Sequence, residues 1–422
     1  MKYSVLLLSF AIVSKATFCQ SETLRKYHPD FSAPAGAPYT AENIKIPAPA
    51  GHVLAGTLTI PRERKAIRLA VVTITGSSPQ DRDHNTTDGL GDYRIFGQLA
   101  DTLGRRNIAV LRMDDRGVGE STGDFWSATS PERADDIRTG IAYLRTRPEL
   151  AGVRIALVGL SEGGMIAPMI AETDTSLAGI ALLAGPASIG RDILEEQLRY
   201  FIMQQSDIRE DRRDSAYRAG EKEFFERMET NPWLRYYWSY DPLKTARKVS
   251  AVPVYILQGK NDRNVPWTEA QRLADAFRAA GNSHVSMRIF ENTNHIFLTD
   301  AVGNPDKYST LHSFAVSNEI WDVLQTGWQH YKPAEHEPCP NSARLLLMVF
   351  GKGTNQVVDL QWFIFSSERY FPWQIICITL IANSPFTNLK FIVYENHQQR
   401  SASNTSNGIV RPVFTTNING AG

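Results

Sequence analysis

Ser161, Asp262 and His295 are the residues of this chain whose types, order and settings could do covalent chemistry. Ser161 is the centre of Gly159-Leu160-Ser161-Glu162-Gly163, a G-x-S-x-G sequence. An apolar, β-prone run (Ile155 to Val158) leads into it and a helix-compatible run follows from Gly163 to Ala171. A serine between strand and helix is held in a strained turn with its hydroxyl thrust outward. Glycines two residues to either side remove the Cβ atoms that would collide as strand and helix converge. The five-residue pattern alone is weak, with roughly one chance in ten of a random match at this length. The strand before it and the helix after it make it specific.

A serine hydroxyl is a poor nucleophile without a base to take its proton and a third group to orient that base. Asp262 lies in Gly259-Lys260-Asn261-Asp262-Arg263-Asn264-Val265-Pro266, directly after the apolar run Val254–Gln258. His295 closes Glu291-Asn292-Thr293-Asn294-His295, after a run ending at Phe290. All three residues thus follow strands, which puts them at the carboxyl edge of a parallel sheet, where ligands bind. The order Ser, Asp, His suits acyl transfer through a nucleophile, a general base and its orienting carboxylate. His284 precedes its strand and His312 falls beside a terminal helix, so neither competes. Asn261 cannot stabilise an imidazolium by charge.

The oxyanion of such a reaction needs two backbone N–H donors. One is expected from Glu162, next after the serine at a helix start, where free N–H groups and the helix dipole favour negative charge. The other is expected from the loop Gly76-Ser77-Ser78-Pro79-Gln80-Asp81-Arg82-Asp83, with the amide of Ser77 as donor and Gly76 allowing close approach. Asp114-Asp115-Arg116-Gly117-Val118-Gly119-Glu120-Ser121 could suggest a metal site. No histidine or cysteine accompanies it, so a Gly-rich turn held by an Asp–Arg pair is preferred. No metal or organic cofactor is implied.

The elements that must position these residues alternate along the chain. Asn43–Ile46 and Val53–Ile60 alternate as an antiparallel hairpin, and continuous apolar runs follow at Leu69–Thr75, Ile108–Arg112, Arg154–Gly159, Ile180–Leu183, Val254–Gln258 and Val285–Phe290. Uninterrupted apolar runs suit parallel strands covered on both faces. A helix is predicted from Pro131 to about Arg145, N-capped by Ser130, with Ala134, Ile137, Ile141 and Leu144 on one face. Another is predicted over Trp267–Ala280, opened by a capping box at Thr268-Glu269-Ala270-Gln271. Strands alternating with helices imply an α/β, mostly parallel, doubly wound sheet. A charged, helix-prone insert, about 188–248, carries Trp233, Tyr236, Tyr237, Trp238 and Tyr240. It is expected to form a helical cap whose rings line the substrate pocket; the alternative is that the rings staple the insert to the main domain.

Composition bounds the rest. The chain has 422 residues with 45 Lys and Arg against 45 Asp and Glu, so charge gives no reason to expect nucleic acid or an anionic membrane as partner. Lys2, the apolar run Val5 to Val13 and small residues after it read as a secretory signal peptide over 1–19, too short for a stable membrane span. Export to the periplasm or medium is expected. A lipid anchor on Cys19 is disfavoured by the bulky Phe18 before it. Of the three cysteines, Cys19, Cys339 and Cys377, none lies between residues 20 and 332, so no disulfide framework or cysteine nucleophile operates there. After the linker-like Pro333 to Pro340, the extension 333–422 has apolar bursts without clear periodicity. A disordered or non-native segment is preferred over an accessory module, and no role is assigned to it.

Over about residues 40–332 the chain resembles the α/β-hydrolase superfamily, and is similar to exported bacterial members of the serine aminopeptidase and dienelactone-hydrolase-like groups. The stretches that carry the resemblance are Thr75 to Arg82, Asp114 to Ser121, Gly159 to Gly163, and the Asp262 and His295 loops. It implies hydrolysis of an ester, thioester or amide through an acyl-enzyme. A carboxylesterase acting on small-molecule esters is the leading expectation. A peptidase or aminopeptidase acting on short peptides is the runner-up, and a non-catalytic binding protein is the competing class. The sequence departs from the resemblance at Thr75-Gly76, where the family commonly has His-Gly, and after Lys332, where nothing matches. Oligomeric state is open.

Overall fold

A computed structural model describes residues 30–85, 93–206 and 208–330 of a first unit, and four strands between 345 and 419 of a second. Residues 1–19, expected to form a signal peptide, lie outside the described residues.

The first unit is built on an eight-stranded sheet in the order β1-β2-β4-β3-β5-β6-β7-β8. The hairpin β1 (Tyr39–Pro47) and β2 (Val53–Pro61) is antiparallel, and β2 pairs antiparallel with β4 (Ala109–Met113). The remaining pairings are parallel: β3 (Leu69–Ile74) lies between β4 and β5 (Arg154–Leu160), followed by β6 (Gly179–Leu183), β7 (Val254–Gly259) and β8 (Val285–Phe290). The chain leaves β3 for β4 on one side and returns to β5 on the other. The β3/β5 boundary is therefore a topological switch point, where the loops after the two strands diverge and leave a crevice.

Strand residues feed two cores by simple alternation. Ala70, Val72, Ile74, Leu157, Ile180 and Leu182 face one core with helices α2 (Ser130–Thr146), α3 (Glu162–Ala171) and α8 (Glu269–Ala279). Val71, Val158, Leu160, Ala181 and Leu183 face the other with α1 (Ile95–Gly104) and α9 (Asn318–His330). The sheet is thus covered on both faces, as its continuous apolar strands require. The edge strand β8 instead alternates, exposing Ser286 and Arg288.

Between β6 and β7 the insert forms α4 (Gly190–Gln204), α5 (Arg213–Met228), α6 (Pro232–Ser239) and α7 (Pro242–Ala246). Leu194, Leu198 and Ile202 of α4 join Phe224, Leu234 and Tyr237 in a third apolar cluster that also takes in Met165 of α3. Most of the insert's aromatic rings staple it together. Tyr236 stacks on Tyr240, Trp238 lies against Phe224 and Phe225, and Tyr237 is buried.

Two helix starts differ from expectation. The N-cap of α2 is Thr129, one residue earlier than Ser130, because Glu132 reciprocates with the Thr129 amide and hydroxyl, both at 2.7 Å. Ser130 is thereby freed to donate its hydroxyl to Glu162 Oε1 at 2.6 Å. At α8 the capping box does not form. Gln271, its fourth residue, donates Nε2 to Asp275 Oδ1 at 2.7 Å and does not close on Thr268; the adjoining Glu269 accepts the amides of Ala187, at 2.8 Å, and Ser188, where the insert begins.

In the second unit, β9 (Leu345–Gly351) pairs antiparallel with β10 (Thr354–Leu360), and β11 (Asn388–Glu395) with β12 (Arg411–Asn419). The apolar run Leu345–Phe350 falls in β9; the runs Trp362–Phe365 and Ile375–Ile381 lie outside the described residues. Among the described residues no helix is long and apolar enough to cross a membrane.

Candidate active site

Ser161 stands between β5 and α3 with φ 58° and ψ −119°, a conformation L-residues avoid unless the surroundings impose it. The surroundings are backbone. A Cβ on Gly159 would lie 2.1 Å from Gly163 O, and one on Gly163 would lie 2.2 Å from Ile74 O. Both positions therefore demand glycine, and the demand is what forces strand and helix together around the serine. Ser161 N–H donates to Leu183 O at 2.8 Å, which fixes the turn to β6. The Ser161 hydroxyl makes no hydrogen bond among the described residues. Such contacts are often loose without substrate and tighten on binding.

Asp262 and His295 meet: His295 Nδ1 lies 2.8 Å from Asp262 Oδ2, with both residues buried. Asp262 Oδ2 also accepts from Gln258 Nε2, and Oδ1 accepts the amides of Asn264 and Val265, each at 2.8 Å. A carboxylate so surrounded by donors is an acceptor, so the proton of the pair sits on Nδ1 and Nε2 keeps its lone pair. The His295 loop is pinned independently. Asn294 Oδ1 accepts the amides of Ile296 and Leu298, and Tyr93 donates to Ile296 O at 2.6 Å. A Cβ on Gly259 would meet Thr293 O at 2.4 Å, so the two loops pack backbone to backbone.

The loop after β3 lies against the serine: a Cβ on Gly76 would stand 3.5 Å from Ser161 Cβ. Gly76 N–H donates to Gln80 Oε1 at 2.8 Å, while the amide of Ser77 makes no hydrogen bond among the described residues. Glu162 is the first residue of α3, so its N–H has no intrahelical acceptor. Both amides expected to face an oxyanion are therefore unengaged. The side chain of Glu162 is fully buried. It accepts from Ser130 Oγ and from Trp233 Nε1, 3.0 Å from each carboxylate oxygen, and pairs with Arg133 Nη1 at 3.0 Å without hydrogen-bond alignment. Trp233 is thus the insert's ring that reaches the serine's neighbour.

Asp114 serves the turn: it clamps Arg82 through Oδ1 and Oδ2 at 3.0 and 2.7 Å, and Gly119, at φ +55°, could not carry a Cβ beside it. Asp115 accepts from Thr75 Oγ1 at 2.5 Å and the Gln80 amide at 3.0 Å; burial pushes its carboxyl up to about 7, against the pull of Arg133.

Two residues of the site escape a sequence reading. His84, at φ +68°, lies beside Gly76, its Cε1 3.6 Å from where a Gly76 Cβ would be. Burial, then the charges of His295 and Arg133, push it down to about 3, so it is neutral at any ordinary pH. Among the described residues its buried Nδ1 has no partner. Nothing local in its loop announces this. Arg133 is the second, and it did leave a signal: it stands four residues before Ile137, on the face of α2 that the apolar stripe marks as buried, where a lone guanidinium is out of place.

An eight-stranded, mostly parallel sheet, a serine on a glycine-flanked elbow and an Asp–His pair at the same edge define an α/β hydrolase. The profile of the family described as "Serine aminopeptidase, S33" matches residues 88–301, just over half of the chain and inclusive of all three residues, and the chain belongs to that family. Esterase EstD of Thermotoga maritima is 26% identical over 256 residues, an alignment that spans 58% of this chain and 58% of EstD. Protein YfhR of Salmonella typhimurium is 27% identical over 250 residues, 58% of this chain and 73% of YfhR. Among solved structures, Pyrococcus furiosus esterase Pf2001 superposes with a TM-score of 0.52 at 14% identity, over 72% of this chain and 96% of that one; at that identity the likeness is one of fold.

Proposed function

We propose that this α/β hydrolase is a serine carboxylesterase. Ser161 attacks the acyl carbonyl, His295 Nε2 takes its proton and later activates water, and Asp262 holds the His295 tautomer. The amides of Glu162 and Ser77 receive the oxyanion. The observation that carries the reading is the buried Asp262–His295 hydrogen bond in the loops after β7 and β8, at the same edge of the sheet as the positive-φ Ser161. EstD, named an esterase, supports ester over amide substrates. The family's description keeps aminopeptidase action as a second reading. That chemistry needs a free carboxylate for the substrate's α-ammonium group, and Glu162, the acid nearest the serine in sequence, is already engaged by Ser130, Trp233 and Arg133. A panel of p-nitrophenyl esters against aminoacyl anilides tests the choice: esters should turn over far faster, and anilide turnover matching ester turnover contradicts it. A protein that turns over neither while binding such ligands would be the non-catalytic alternative. Export is part of the proposal, and N-terminal sequencing of the mature protein should begin after Ala16 or Cys19.

A further inference from the structure

We infer that Arg133 is the positioning residue of the oxyanion site, a single guanidinium that sets the direction of one amide donor and is paired to the residue supplying the other. The inference rests on the serine-hydrolase reading above. Arg133 Nη2 donates to Gly76 O at 2.7 Å, with Thr75 Oγ1 at 3.1 Å and Thr75 O at 3.4 Å. In a trans peptide the C=O and the following N–H point in opposite directions. Anchoring Gly76 O on Arg133 therefore turns the Ser77 N–H to the opposite side of the peptide plane and stops that plane from rotating. Gly76 itself packs against Ser161, so the fixed peptide is the one beside the nucleophile.

The other arm of the guanidinium, Nη1, pairs with Glu162 Oε2 at 3.0 Å. Glu162 is the residue whose own backbone N–H is the second donor. Its remaining contacts, Ser130 from α2 and Trp233 from the insert, hold the carboxylate in place. The Phe125 ring, 4.8 Å from Arg133 Cζ, covers the cation. Arg133 is 5% exposed and Glu162 not at all. Burying such a pair costs desolvation that well-packed apolar residues would avoid, so stability alone gives little reason for it. Preorganised amides, by contrast, act in the transition state because they do not have to reorient. The arrangement also explains the departure at Thr75, whose hydroxyl donates to Asp115 and accepts from Arg133, tying the loop to β4 and α2.

The test uses full-length Arg133→Lys and Glu162→Gln, with p-nitrophenyl butyrate as substrate and an alkyl trifluoromethyl ketone as the tetrahedral mimic. Lysine keeps the charge but cannot span both partners; glutamine keeps the contacts of Ser130 and Trp233 at least in part but releases Arg133. The expected signature is a kcat loss of about ten- to a hundredfold for Arg133→Lys, smaller for Glu162→Gln, with KM nearly unchanged and ketone affinity falling in step with kcat. A merely structural role would lower Tm without that parallel loss. Folded variants with wild-type kcat and ketone affinity overturn the inference, and if Arg133→Lys does not fold, an unchanged Glu162→Gln overturns it. A wild type that neither hydrolyses the ester nor binds the ketone sinks the hydrolase reading instead.

Discussion

The two halves of the proposed site are built by different means. The acid–base half, Asp262 and His295, is assembled from two neighbouring loops that satisfy their own backbones: Asp262 is held by amides two and three residues away, and the His295 loop by Asn294. The oxyanion half draws on the loop after β3, the turn after β4, helix α2, the start of α3 and the insert helix α6. The buried pair Arg133 and Glu162 holds it, with the half-buried carboxyl of Asp115 beside them. Local hydrogen bonding braces the first half, and Gln197 of the insert helix α4 adds a donor to Asn264 O at 2.9 Å. The second half is a shared network in which a change at one residue is felt at the others.

The comparison is broken most severely at the nucleophile that joins the halves. Ser161→Ala is expected to lower kcat by several orders of magnitude, about 10⁴ to 10⁶, with little change in Tm. Within the acid–base half, Asp262→Asn should cost about 10⁴ in kcat by favouring the wrong His295 tautomer, again with the fold retained, measured on the same p-nitrophenyl ester.

The oxyanion half should show its character in pH dependence. Asp115 is raised from 3.8 to about 7 by burial, so the folded protein binds its proton more tightly than the unfolded chain. The stability this provides is complete below 3.8 and is lost as pH rises through about 7. Asp115→Asn should therefore gain on wild type in Tm as pH rises from 3.8 to about 7; a constant difference over that window would contradict the assignment. His84 runs the other way. Its folded value is depressed from 6.5 to about 3, so its contribution is present above 6.5 and is lost as pH falls toward 3. His84→Asn, which tolerates positive φ, should flatten the acid limb of the Tm profile. The smallest effect is expected at the cap of the helix that carries Arg133. Thr129→Ala should cost about 1 kcal/mol by denaturant titration while leaving kcat unchanged.

The same contrast explains what could be read from the sequence. The elbow, the strand ends and the Asp262 and His295 loops were legible because each is written in consecutive residues: a strand, a turn, a polar side chain. Helix start signals were legible in kind but not in detail. Ser130 has the right chemistry for capping but is drawn to distant Glu162, and Gln271 turns along its own helix to Asp275 in place of Thr268. His84 was invisible because its neighbours come from Gly76, Tyr93 and Phe96 through tertiary packing. Among the insert's aromatic residues, the sequence could not separate Trp233, which reaches Glu162, from the rings that pack within the insert.

The most direct test of the central claim is fluorophosphonate labelling of the folded, full-length protein followed by peptide mass mapping. The account predicts one adduct, on Ser161, abolished by denaturation and by His295→Ala. Folded protein that takes up no label, or takes it up on another residue, would contradict it.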